Sequence, residues 1–136
     1  MAIAIHEGPG DYRAGRCNIG REEVAARRRI GLVQLAVAIL IAVVLVALDA
    51  PPWMRIAVWP FLAAAFTTLE QVRRRFCVAF GMSGIRNFGP EVGVAHAERI
   101  EDAAARAADR RAALIMAGYC IVAAGAVTAL FIALPV

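Results

Sequence analysis

The stretch "RRRIGLVQLAVAILIAVVLVALDAPPW", Arg27 to Trp53, decides how this chain is read. Three arginines lead into an apolar run from Ile30 to Leu48 in which only Gln34 is strongly polar. Nineteen residues at 1.5 Å each give a helix of roughly 28 Å, about the thickness of one hydrocarbon core. Asp49 to Pro52 then break the pattern, and Trp53 falls where indoles prefer the membrane interface. Upstream, Asn18 is a capping residue type, and Glu22 and Glu23 occupy a first turn where the macrodipole favours anions. Together they predict one helix from about residue 19 to 48. A cleaved signal peptide is opposed by the long acidic lead and by the proline pair after Ala50.

Composition agrees with a bilayer. Of 136 residues 61% are hydrophobic and the mean hydropathy is +0.65, against roughly 45 to 50% apolar residues in soluble domains. All fifteen basic residues are arginine, which with the abundant Ala and Val suits a GC-rich bacterial genome, and the formal net charge is +4. Six arginines precede residue 30, one is Arg55 and eight lie between Arg73 and Arg111, so nearly all flank apolar runs. No stacking aromatics are interleaved with them, which argues against nucleic acid as a partner. Three cysteines, at 17, 77 and 120, lack the pairing of a disulfide scaffold or a zinc site.

The rest of the chain divides around these runs. Residues 1–17 read as a flexible cytoplasmic arm. Residues 18–89 read as a helical hairpin of two spans plus a membrane-surface connector. The second span, Met54 to Glu70, is short and bent at Pro60, and Arg55 snorkels outward toward Asp49. The Gly-rich connector "FGMSGIRNFGPEVG" forbids a long regular helix. Residues 90–136 read as a single long helix starting near Val94 and ending in a third span, Ala112 to Leu134. Its first half, with Asp102, Arg106 and Asp109 at i,i+4 and i,i+3 spacing, projects into water. The expected fold class is thus an all-α integral membrane protein with three transmembrane helices. By the distribution of arginine, the N-terminus and connector are cytoplasmic and the C-terminus lies outside the inner membrane.

Few residues carry chemistry. Cys17 and Cys77 are both expected at the cytoplasmic surface, where Arg16 and the helix N-terminus make Cys17 the better nucleophile. The plainer reading makes them small packing residues. No metal or cofactor is expected, since neither His6 nor His96 joins the cysteines in a ligand spacing. Arg27, Arg28 and Arg29 with Arg73, Arg74 and Arg75 are expected on anionic lipid headgroups. Small residues, Ala38 and Ala42 on the first span and Gly118, Gly125, Ala129 and Ala133 on the third, allow close helix approach. The spans hold almost no ionisable residue away from their ends, which argues against a transporter.

The run "CNIGREEVAARRRIG", followed by two spans and then "FC", resembles the transmembrane domain of YgaP-type inner-membrane proteins over about residues 18–81. The matching positions are Asn18, Gly20, Arg29, Gly31, Phe76 and Cys77. The resemblance implies a small hairpin that self-associates, fused in some members to a rhodanese domain that handles sulfane sulfur. This chain departs from it in having no rhodanese domain, Val78 where a proline commonly follows the cysteine, and a third span. The expected function is an accessory or self-associating subunit without catalysis, its partners the bilayer and another membrane protein or itself. The alternative is a thiol or persulfide relay through Cys17 and Cys77.

Overall fold

The computed structural model describes residues 12–136. Four helices dominate: α1 (Arg21–Ala47), α2 (Val58–Arg74), the short α3 (Val78–Ser83) and α4 (Ala103–Ala133), with a 3-10 helix, Pro52–Ala57, running directly into α2. Two of them, α1 and α4, are long and apolar enough to cross a membrane. The middle helix is α2, packed on α1 along one side and on α4 along the other. Gly31 of α1 abuts Thr68 and Leu69, and nearer the other end Ala38 joins Val58, Leu62 and Ala124 in one buried cluster. Small residues at Gly31, Ala38 and Ala124 let the backbones approach where larger side chains would hold them apart. The outward faces stay apolar, with Leu32, Val33, Leu40 and Val43 exposed on α1 and Leu114, Val122 and Leu130 on α4.

Several expectations are corrected. The first helix begins at Arg21 with Gly20 as its N-cap, because the Asn18 side chain is engaged elsewhere. Pro60 does not interrupt α2. It is the third residue of α2, within the first turn, where its missing N–H has no intrahelical partner to lose. The last helix starts at Ala103, not near Val94. Residues 94–96 form a 3-10 turn, and Glu98–Arg99 pairs antiparallel with Ile85–Arg86 as β2 on β1. Asp102 then caps α4 by accepting from the Ala104 N–H at 3.2 Å. From there α4 runs unbroken through the polar-to-apolar junction, as the absence of Gly or Pro between Gly93 and Gly118 predicts.

Arg55 does not snorkel. It is buried, and its guanidinium donates to the carbonyls of Phe131 (2.8 Å), Leu134 (2.9 Å) and Val136 while lying over the Phe131 ring. The Phe131 carbonyl accepts only from the C-cap Leu134 N–H at 3.3 Å, and Leu134 and Val136 lie beyond the last residue of α4, so a cation there adds a donor to each and complements the macrodipole.

Gly81 marks a tight approach between α3 and α4. A Cβ on it would lie 2.7 Å from Phe76 Cζ and 3.0 Å from the Asp109 carbonyl oxygen, both fixed in a buried layer. Gly81→Val is expected to cost about 1 to 3 kcal/mol, read as a lower melting midpoint in detergent. Gly118→Ala, with nothing within 4 Å, is expected to leave the midpoint unchanged or slightly raised.

Candidate functional site

At one end of the helices, the chain leaving α2 must turn back under the connector, and its backbone polar groups are shut away from water. Arg75 ends α2 in the left-handed conformation (φ 54°), which aims Phe76 and Cys77 inward, both almost fully buried. Asn18 answers the stranded peptide of Cys77. Its Oδ1 accepts from the Cys77 N–H at 2.6 Å and its Nδ2 donates to the Cys77 carbonyl at 3.1 Å. The backbone of Asn18 continues the pairing, donating to Arg75 and accepting from Asn87 at 3.0 Å, while the Gly20 N–H donates to the Asn87 carbonyl at 2.8 Å. Residues 18–20 are therefore clamped between the end of α2 and the connector. Asn87 fastens the far side, its Nδ2 donating to the Glu91 carbonyl and its Oδ1 accepting from the Gly89 N–H.

Beneath this clamp lies the thiol of Cys77. One nitrogen of Arg27 donates to Cys77 Sγ at 3.0 Å, another to Glu23 Oε2 at 2.9 Å, and the guanidinium lies 5.4 Å from the centre of the Phe80 ring. The second oxygen of Glu23 accepts from the Gly93 N–H at 3.0 Å. Glu23 is 1% exposed, and its burial is offset because each of its two carboxylate oxygens has a donor, one from Arg27 and one from Gly93. Glu23 lies in the first turn of α1, as read from sequence, and is also the post that ties α1 to the connector. Arg27, expected on lipid headgroups, points inward. Arg28, Arg29, Arg73, Arg74 and Arg75 are exposed.

A second polar lock joins the N-terminal segment to α4. Asp109, expected to project into water beside Arg106, is fully buried; the Tyr12 hydroxyl donates to its Oδ2 at 2.9 Å and the Gly15 N–H to its Oδ1 at 2.6 Å. Burial pushes its carboxyl above the usual aspartate range, opposed by these two hydrogen bonds. Burial, with the carboxylate as acceptor, likewise raises the Tyr12 phenol. Arg106 turns instead to the carbonyls of Ile100 (2.7 Å) and Glu101 (2.8 Å). The arm through residue 11, including His6, lies outside the described residues. The part that follows is docked.

None of the three cysteines is in a disulfide. Cys17 is half-buried, its thiol 3.7 Å from the Ile19 carbonyl, and Cys120 is buried against Phe76, Ala113 and Met116. Asn18 brings the segment carrying Cys17 against Cys77, but the two sulfurs have different neighbours. No group of three metal-ligating side chains gathers among the described residues, and His96 faces Glu91 at 2.9 Å. Of the small residues, Ala38 and Ala42 belong to the packed cluster and Gly125 lies against the Trp59 indole, whereas Gly118, Ala129 and Ala133 are exposed. The face of α4 that packs carries Ala113, Met116, Cys120, Ala124 and Thr128. No family model matches the chain, and no curated protein or solved structure matches it.

Asn18→Ala orphans the buried Cys77 N–H and leaves the Cys77 carbonyl with the Gly81 N–H alone; it is expected to cost about 2 kcal/mol, with faster maleimide labelling of Cys77 in the folded protein. For Asp109 the folded form binds its proton more tightly than the unfolded chain, so stability falls as pH rises from the ordinary aspartate value through the raised one. Asp109→Asn keeps an acceptor for Gly15 and a partner for Tyr12. Melting in detergent from about pH 4 upward is expected to show a falling wild-type midpoint and a flatter profile in the variant.

Proposed function

We propose that the chain is a bacterial inner-membrane protein of three crossings that performs no catalysis of its own and acts as an accessory or self-associating subunit. The observation that carries this reading is the closure of the polar clasp. Asn18, Glu23, Arg27 and Asn87 each bond to a backbone or side-chain group of the fold itself, and the thiol at their centre is 2% exposed. A site for chemistry needs a reactive group open to substrate; this cluster fastens the chain. The long outward faces of α1 and α4 are apolar enough to need lipid or another helix against them.

The third crossing is supplied by α2. Taken alone it has 17 residues, but the six of the preceding 3-10 helix continue its path. At about 1.5 and 2.0 Å per residue the two span roughly 38 Å. Arginine is concentrated at the end that holds residues 12–29, the connector and the start of α4, which supports an N-terminus in the cytoplasm and a C-terminus outside. A thiol relay through Cys17 and Cys77 is the second reading, favoured by the way Asn18 joins their two segments.

A reporter active only outside the membrane is expected to work after Val136 and to fail near Gly93; the reverse overturns the orientation. Native mass spectrometry in mild detergent is expected to show a stoichiometric complex, either of several copies or with one other membrane protein. A strictly single chain that forms a Cys17–Cys77 disulfide under mild oxidant, and loses a sulfur-dependent phenotype on Cys17→Ser, favours the relay instead.

A further inference from the structure

Between the end of α2 and the junction of α4 lies an open groove of about 470 Å³. Arg74 and Arg111 line it, Phe76, Ile115 and Met116 give it an apolar floor, and Gly15 of the docked arm contributes to its wall. No acidic side chain lines it. Arg111 has no ion-pair partner among the described residues. Arg74 is held by a single contact, one nitrogen donating to the Tyr119 hydroxyl at 3.1 Å, which leaves the remaining donors of its guanidinium to point elsewhere. The nearby acids are engaged: Glu70 with Arg73 and Tyr119, and Asp109 with Tyr12 and Gly15.

Arg74 is the last residue of α2, and Arg111 directly precedes the apolar part of α4. On the membrane reading proposed above, on which this inference rests, both guanidinia sit at the headgroup level while Ile115, one turn further along α4 and exposed, sits at the level of acyl chains. A ligand that fills the groove needs an anion beside a hydrocarbon. We propose that the groove is a binding site for one anionic glycerophospholipid, its phosphate held between Arg74 and Arg111 and an acyl chain laid along Ile115. This differs from the diffuse attraction of Arg28 and Arg29, which are exposed on α1. Guanidinium suits the task because its fork of donors matches phosphate oxygens. A free phosphate would leave the apolar floor unused.

The test is native mass spectrometry of the full chain released from vesicles of phosphatidylglycerol and phosphatidylcholine in equal amounts. The wild type is expected to retain one phosphatidylglycerol, and Arg74→Gln with Arg111→Gln to lower that retention about tenfold, while Arg28→Gln with Arg29→Gln leaves it intact. Ile115→Trp, which fills the groove without changing charge, is expected to lower retention as well and stands in if the double arginine variant melts early. Equal retention of both lipids, or equal loss in both arginine pairs, overturns the site. Displacement of the lipid by millimolar inorganic phosphate alone assigns the groove to a soluble anion and also overturns it. If the wild type fails to enter vesicles at all, the membrane reading falls and the site falls with it, an outcome distinct from entry without selectivity.

Discussion

A peptide group turned inward at the end of a helix must find partners there, and in this chain the Cys77 N–H finds its acceptor in the Asn18 side chain, which also shares the Cys77 carbonyl with the Gly81 N–H. An asparagine presents a donor and an acceptor side by side, so Asn18 can complement a backbone N–H and C=O as a neighbouring strand would. Once that pair is made, the segment before α1 is fixed against the segment after α2, and the two helices enter the bundle in register. Phe76 can then lie under Gly81, and Gly81 against the carbonyl of Asp109. The position of α4 thus follows from a contact made by residues far from it in sequence.

Arginine is used here in two opposed ways. Arg28, Arg29, Arg73 and Arg110 are exposed, as a water boundary requires. Arg27, Arg55 and Arg106 instead turn toward the chain and bind carbonyls, a carboxylate or a sulfur. Guanidinium serves both roles because it is always charged, planar and rich in donors, so it can lie on an aromatic ring with its edge satisfied. Lysine, with a compact ammonium, could not span Glu23 and Cys77 together while covering Phe80.

The long apolar helices were legible because period and length are written directly in the residues. Ile30 to Leu48 carries no competing signal, and α4 runs through its junction because nothing there breaks a helix. The polar clasp was not legible. Asn18 looks like a cap because a cap is the commonest use of asparagine before a helix; only the stranded peptide of Cys77, brought near by the turn at Arg75, gives it a better partner. Asp109 is hard to place from sequence for a similar reason. Its spacing from Arg106 matches a surface pair, yet it shares a face with Ala105, Ala113 and Met116, and that apolar row was the available sign that it points inward. Arg55 could not be placed from sequence, since its partners are carbonyls whose position depends on where α4 ends.

Those partners impose an order on synthesis. Arg55 leaves the ribosome 76 residues before Phe131, the nearest of the carbonyls it serves. At 5 to 20 residues per second that interval is roughly 4 to 15 s, during which α1 and α2 can pair but the guanidinium has no acceptor from α4. The contacts that Arg55 makes at the far end of the bundle can therefore form only after α4 has been synthesised.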